Sequence, residues 1–500
     1  MDRHDQLHRI PITICVMLAS ILQALDTTIA NVALPHIRGS LSATLEQMGW
    51  VLTSYIVAAA IMTPLSGWLA GQIGRKKVLL VSVAGFTISS ALCGMAQSLS
   101  QLVLFRLLQG VFGAALVPLS QAVLLDINPP ERHGRATALW AMGVLIGPII
   151  GPALGGYLTE NYSWRWVFYI NIPFGVLSVL GIMSYMRETT ARRSRFDFFG
   201  FASLSLAVGA LQILLDRGQL LDWFNSTEIW VEMTVAALSF YLFIVHTVTA
   251  SRAFVSPALF RDRNFALGNV FIFIVGVVLF ATLALLPPLL QDLLGYPVVT
   301  TGFVTAPRGV GGFLTMALVG RLIGRVDARV LIAIGLGVTA ASLWIMCGFS
   351  PQMDSHLVII SGFLQGVGTG FAYVPLAAVA FATLAPQLRS EGTSIFNLLR
   401  NIGSSIGIAV VQALLTRNTQ IMHARLAEHL TPYGAQLRAA IPGLGTAHGL
   451  AALNATVTQQ AQMIAYNNDF KLLLLLTLAV MPLLVLLRSG RASATSVAPE

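Results

Sequence analysis

Residues 143–156 read GVLIGPIIGPALGG, two Gly-Pro pairs and a glycine at every fourth position, with no charge among them. Glycine and proline are the poorest residues for a helix interior, yet the surrounding apolar run has the length of a helix. On a helix Gly143, Gly147, Gly151 and Gly155 stand at i, i+4, i+8 and i+12 and form a drifting groove without side chains, open to close approach by a neighbouring backbone. Pro148 and Pro152 each remove an internal hydrogen bond and bend the segment. With Gly156 ending the run, this build suits a bent, tightly packed seam between two moving halves. The stretch RGVGGF (308–313) is a candidate to fill the groove. A static, closely packed helix pair is the alternative.

The rest of the chain supplies the setting. Hydrophobic residues make up 56% of the 500 and charged residues 10%, against about 25% charged in ordinary soluble domains. Mean hydropathy is +0.76. A chain this apolar cannot cover itself with polar surface, so lipid must surround most of it. Fourteen runs long enough to cross about 30 Å of hydrocarbon lie near 10–35, 48–70, 78–97, 101–125, 136–158, 165–186, 198–216, 228–250, 265–289, 300–320, 329–348, 357–381, 393–416 and 470–488. They are continuous rather than alternating, which excludes a β-barrel. The chain is an all-α polytopic membrane protein. Its first run is too long and uninterrupted for a cleaved signal peptide and reads as a retained span.

The net charge of +9 points to no nucleic-acid partner once its distribution is considered. With the N-terminus inside, Arg75, Lys76, Lys77, Arg187, Arg192, Arg193, Arg195, Arg252, Arg261, Arg263, Arg321, Arg325 and Arg329 all fall in inner loops. That bias places both termini in the cytoplasm, and Trp50, Trp164, Trp166, Trp223 and Trp230 then mark outer interfaces. Cys15, Cys93 and Cys347 lie within spans and show no disulfide or CxxC pattern.

An internal repeat organises the spans. LQGVFGAALVPL (108–119) returns as LQGVGTGFAYVPL (364–376), GWLAGQIGR (67–75) as GRLIGRVDAR (320–329), and Gly147 and Gly151 as Gly403 and Gly407. Spans 1–6 are thereby matched to spans 9–14, leaving spans 7 and 8 as an inserted pair. Expected units are an N-terminal six-helix bundle (1–187), a basic linker with the inserted spans (188–264), a C-terminal six-helix bundle (265–490) and a cytoplasmic tail (491–500). Parallel repeats of this kind serve alternating-access transport. The hydrophilic segment 418–469 is an outer loop, in which ARLAEHL favours helix and Pro432 and Pro442 favour breaks.

Charges inside spans locate the chemistry. Asp26, in LDTTIANVALP (25–35), stands within span 1 beside Thr27, Thr28 and Asn31, and Arg106 stands within span 4. At 1.5 Å per residue they lie about 6 and about 10 Å to the outer side of the midplane, so they pair if the two spans are neighbours. An intramembrane carboxylate is a functional candidate by default. Asp26 is either proton-responsive or a ligand for a cationic substrate, with Arg106 tuning it; a structural salt bridge is the competing reading. Arg308 and Arg400 also stand in apolar runs, with no acid in their own spans. There is no P-loop, HExxH or GxSxG, so neither enzymatic chemistry nor a cofactor or metal is expected.

GVLIGPIIGPALGG resembles the antiporter motif on the fifth helix of drug:proton antiporters of the major facilitator superfamily. SWRWVFYINIP (163–173) and LDTTIANVALP are similar to segments of its fourteen-span branch, the EmrB/QacA type. LVLFRLLQGVFGA (102–114) resembles the fourth-helix motif, whose arginine, here Arg106, is implicated in proton coupling. GWLAGQIGRKKVLL resembles the loop motif between helices 2 and 3. Gly67, Gly74, Arg75 and Lys76 are retained, while Gly71 replaces an aspartate that helps latch the cytoplasmic side.

The resemblance implies a fold of two six-helix bundles plus two inserted helices, in a bacterial inner membrane. It implies export of lipophilic, often cationic, drugs driven by the proton gradient. A periplasmic adaptor and an outer-membrane channel are implied partners if the host has two membranes. Export of one endogenous metabolite, such as a siderophore or fatty acid, is the alternative, ahead of an uptake porter. Depth and helix face nominate Gln23, Thr27, Asn31, Gln109, Gln365, Tyr373 and Asn397 for the cavity lining.

Overall fold

A computed structural model describes residues 8–43, 45–129, 132–188, 196–250, 253–428, 430 and 446–487. Apart from a single bridge between Ile323 and Val326, the described secondary structure is helical. Numbered to match the spans, the helices are α1 (Arg9–Leu41), α2 (Leu45–Ile73), α3 (Arg75–Met95), α4a (Leu99–Gly113), α4b (Leu116–Ile127), α5 (His133–Asn161), α6 (Asn171–Tyr185), α7 (Phe198–Arg217), α8 (Thr227–Thr249), α9 (Arg263–Pro288), α10 (Val298–Leu322), α11 (Ala328–Met346), α12 (Ser355–Ala382), α13 (Arg389–Glu428) and α14 (Ala447–Val480). Among the described residues, thirteen stretches are long and apolar enough to cross a membrane. α5, whose 29 residues reach about 44 Å, is long enough to be the fourteenth.

α1–α6 form one bundle and α9–α14 the other. α1 packs on α5 and α6, and α2 and α3 on α4a; in the second bundle α12 packs on α10 and α11, and α13 on α9 and α14. Apolar side chains such as Phe303, Trp344 and Val485 point outward, as expected where lipid replaces water. α7 covers the line where α2 meets α13; Gly209 sits on Ile61, Asp216 accepts from Thr53, and Gln219 donates to Thr416 at 3.2 Å. α8 packs on α7 and leaves Phe240, Tyr241 and Val248 exposed.

Two differences from expectation concern helix ends. The segment 418–469 is not simply a loop: α13 runs on to Glu428 and α14 starts at Ala447. The two form a hairpin joined by a 3.0 Å contact between His423 Nε2 and Asn454 Oδ1. Pro432 and Pro442 lie outside the described residues, as do 189–195 of the basic linker, 488–490 at the end of the second bundle and the tail 491–500. The repeat register also shifts in one loop. Gly74 and Gly324 share a left-handed backbone, with φ of +91° and +92°, so Gly324 is the counterpart of Gly74 rather than of Gly71. Both begin the turn that reverses the chain at the end bearing the basic loops.

The halves meet toward that basic end. α5 meets α10 through Leu145 on Gly312, Ala138 on Gly320 and Gly134 on Ile323. α2 meets α13 through Gly67, whose added Cβ would lie 2.9 Å from Glu391 Cα, and through Ser66 and Ser394, 3.1 Å apart.

Candidate functional site

Asp26 and Arg106 come together in the first bundle. Asp26 Oδ2 accepts from Arg106 Nη1 at 2.6 Å, and the two residues are 0% and 1% exposed. The other carboxylate oxygen accepts from Gln109 Nε2 at 2.9 Å and Asn171 Nδ2 at 3.1 Å. Arg106 also donates through Nη1 to Gln109 Oε1 at 2.8 Å and through Nε to the Val51 carbonyl at 3.2 Å. Its guanidinium lies 4.3 Å from the centre of the Tyr55 ring, near enough for a cation–π contact. Asn171 donates further to Ser90 Oγ at 3.0 Å, and Ser90 donates to the Phe168 carbonyl at 2.9 Å. Five spans thus contribute to one enclosed polar network. Removing a single charge from such a network leaves the other uncompensated, which costs about 3–5 kcal/mol.

This enclosure corrects two expectations. Asp26 does not face the space between the bundles, so a direct contact with substrate is not what this geometry provides. Gln109 is not a cavity residue either: at 0% exposure it holds the carboxylate. A polar residue at mid-depth can line a cavity or complete a buried network, and only its neighbours decide.

The glycine groove also has a different occupant from the one expected. A Cβ on Gly147 would lie 2.5 Å from the Ala24 carbonyl carbon and 2.6 Å from Leu25 N. One on Gly151 would meet Thr28 Oγ1 at 2.2 Å, on Gly155 Ile29 Cγ1 at 2.8 Å, and on Gly143 Met17 Cε at 2.7 Å. The Thr28 hydroxyl donates to the Gly147 carbonyl at 3.1 Å. The groove therefore receives α1 of its own bundle, and the static helix pair describes it better than a seam between halves. RGVGGF meets α5 at Leu145 instead, while Gly311 packs on Phe363 of α12. Gly156 is half-buried. The side chains of Pro148, Pro152 and Asn31 lie outside what the structure describes. The α1 turn that α5 clamps carries Ala24 and Leu25, the residues immediately before Asp26.

Of the retained charged loop residues, Arg75 reaches the other half at the basic end. Arg75 pairs with Asp126 at the end of α4b, and its Nε donates to Ser390 Oγ at 2.7 Å. Arg389 of the second half reaches the same Asp126 at 3.3 Å. One carboxylate thus joins cations from both bundles. Lys76 donates to the Met183 carbonyl at 2.9 Å, within its own half. Gly71 is exposed with open space around it, and Glu391, in the first turn of α13, accepts from Ser256 N. Asn397 belongs to this closure rather than to the cavity, being 1% exposed and donating to Gln121 Oε1 of α4b at 3.1 Å.

The remaining nominated residues scatter. Gln23 is half-buried and Thr27 exposed on α1, with Thr27 Oγ1 donating to the Gln23 carbonyl at 2.8 Å. Gln365, 1% exposed, donates to Thr282 Oγ1 at 3.0 Å. Tyr373 accepts from Arg400 Nη1 at 3.3 Å. Asn171 was legible in part, since it stands inside the quoted SWRWVFYINIP; Tyr55, Ser90, Asp126 and Arg389 carry no comparable signal. Among the described residues no cluster of three or more His, Cys, Asp or Glu side chains has metal-binding geometry.

Comparison with known proteins agrees with this architecture. The sequence profile of the Major Facilitator Superfamily matches residues 16–408. The Multidrug export protein EmrB of Escherichia coli (strain K12) is 38% identical over 430 residues, 85% of this chain and 84% of that protein. The Fatty acid resistance protein FarB of Neisseria gonorrhoeae is 37% identical over 466 residues, 92% of each. In fold, the chain is similar to the human organic anion transporter MFSD10 (TETRAN), with a TM-score of 0.62 at 14% identity, covering 95% of this chain and 100% of that one. The proton:xylose symporter XylE gives 0.61 at 13% identity, with coverage of 94% and 95%. With a family profile spanning most of its length and relatives this close, the chain belongs to the Major Facilitator Superfamily.

Proposed function

We propose that this protein is a proton-coupled exporter of lipophilic compounds, working by alternating access between the units 1–187 and 265–490. The relatives named for multidrug export and fatty acid resistance support export. The single observation that carries the coupling is the sealed Asp26–Arg106 network on a helix clamped by α5. The basic end is taken as cytoplasmic under the positive-inside rule, with both termini on that side; the bacterial relatives support a bacterial inner membrane. The described conformation is then closed toward the cytoplasm, held by Asp126 and the Ser66–Ser394 and Gln121–Asn397 contacts. A periplasmic adaptor and outer-membrane channel complete the route in a host with two membranes.

In this reading the proton works through geometry. Protonation of Asp26 removes the negative charge that holds Arg106, Gln109 and Asn171 on one carboxylate. α1 loosens on α4a, and its clamped turn carries the change to α5, which bears the contacts with α10. The two states then differ in proton affinity, the requirement for a population shift. Each charge moved inward down the potential supplies about 2.3 kcal/mol per 100 mV. No cofactor is needed, because the gradient is the energy source. The test is substrate-triggered proton release from everted vesicles, compared between wild type and Asp26→Asn.

A further inference from the structure

One buried carboxylate belongs neither to the coupling network nor to the closure at the basic end. Asp469 stands on α14, one residue before the apolar run 470–488 and on the side opposite the basic loops. It is 1% exposed, and neither of its carboxylate oxygens has a hydrogen-bond partner among the described residues. Asp26, equally buried, accepts three hydrogen bonds.

The helix dictates this placement. Tyr466, Asp469, Phe470 and Leu473 stand at i, i+3, i+4 and i+7 and so share one face. Tyr466, Phe470 and Leu473 are buried in an apolar cluster with Leu285 of α9, Leu289 of the π turn that continues it, Leu343 of α11 and Val411 of α13. Neighbouring polar residues of α14 find partners at the rim. Asn467 Nδ2 donates to the Phe349 carbonyl at 2.9 Å and Gln459 Nε2 to the Leu293 carbonyl at 3.3 Å.

Among the described residues no cation pairs with Asp469. Lys471 of its own helix is exposed on another face. The π turn brings Asp292, itself exposed, near Tyr466. Within the helices packed on α14, α13 has no ionisable residue between Arg400 and Arg417, and α9 and α11 have none beyond Arg263 and Arg329 until Cys347 at the end of α11. An ionised carboxylate buried without cation or donor is strongly disfavoured, whereas the neutral acid costs far less. The packing around Asp469 suits the acid, and holds the ion only if the helices part.

We propose that Asp469 is a proton-binding site of the second bundle, separate from Asp26, which takes its proton from water on the outer side and fastens the outer part of α14 against α9 and α11 while loaded. On unloading, the O–H bond breaks, the electron pair stays on the carboxylate and the proton passes to the outer water. The charged group then demands hydration, which α14 provides by loosening. Outer pH thus acts on the protein at a second place. The choice of side rests on the positive-inside orientation; the site itself does not depend on the export reading.

The experiment follows thermal unfolding of the full-length protein in neutral-lipid nanodiscs and sodium-free buffer from pH 5 to pH 9, wild type beside Asp469→Asn. An unfolded aspartate ionises at about 3.9. The folded chain keeps the proton above that value, so it binds more protons than the unfolded chain and loses stability as pH rises. Asp469→Asn imitates the neutral acid and escapes this loss. The two midpoints should agree at pH 5, and the variant should lie several degrees higher at pH 9. Parallel curves overturn the proposal. So does a wild-type midpoint at pH 9 that added sodium raises while leaving the variant unchanged, which would make the carboxylate a ligand for a metal cation. Dicyclohexylcarbodiimide, which reacts with protonated carboxyls in apolar surroundings, should modify wild-type Asp469 at least tenfold faster at pH 6 than at pH 9, read by peptide mass. Absence of the adduct at pH 6 also overturns the site, and this labelling decides alone if the variant does not fold. The gap at pH 9 should persist in an Asp26→Asn background, so failure of proton-coupled export leaves the site standing; a gap that vanishes there overturns its separation from Asp26.

Discussion

Arg106 Nη1 lies 2.6 Å from Asp26 Oδ2, and neither side chain reaches solvent or the space between the bundles. The pair is thus both a structural fixture and the most deeply enclosed ionisable group on α1. Arg106→Ala leaves the carboxylate buried without its cation, and a loss of about 3–5 kcal/mol in folding stability is expected. The double variant Asp26→Leu with Arg106→Leu should be less destabilised than Arg106→Ala. Thermal unfolding in detergent checks the order of the two.

The α1–α5 clamp separates its glycines by what each added methyl would meet. Gly147→Ala drives a Cβ into the Ala24–Leu25 backbone, at 2.5 and 2.6 Å, and should cost about 1–3 kcal/mol. Gly143→Ala meets the flexible end of Met17 and should cost less than about 1 kcal/mol. Proton-coupled export should fall in the first and survive in the second, measured in vesicles at matched expression.

Asp126 is the shared partner of Arg75 and Arg389, so Asp126→Asn weakens the closure at the basic end from both sides. A Ser394→Cys reporter, introduced after Cys15, Cys93 and Cys347 are replaced, should then be alkylated from the basic side several times faster than in the unlatched variant's parent. Unchanged labelling would mean that the Gln121–Asn397 contact and the close packing of Gly67 on Glu391 suffice without the carboxylate.

Gly74 and Gly71 differ in kind although they are three residues apart. Gly74 has φ of +91°, so Gly74→Ala should cost about 1–2 kcal/mol through backbone strain. Gly71 has nothing within 4 Å of an added Cβ, and Gly71→Asp should stay within about 0.5 kcal/mol of wild type. Paired unfolding midpoints decide this.

The spans and the buried charges were legible because hydropathy and charge are local properties. The partner of the glycine groove was not. Four glycines at helical spacing say that a backbone comes close, but α1 and α10 are equally compatible with that pattern. Gln109 and Asn397 show the same limit from the polar side: their depth was readable, whereas their helix face was not. Asp126 was hidden because an acid near a span end reads as ordinary loop charge. The helical extensions to Glu428 and from Ala447 escaped because hydropathy stops where the lipid stops and the hydrogen-bonded helix continues. Asn171 lay within a quoted motif, yet its role depends on Asp26, which is 145 residues away in sequence.

The most direct test of the central claim is proton release from energised everted vesicles on addition of a lipophilic substrate, wild type beside Asp26→Asn. The account predicts release from wild-type vesicles and none above background from the variant, at equal amounts of folded protein. Equal release from both would contradict it, leaving Asp26 as a structural partner of Arg106 and placing the coupling proton elsewhere.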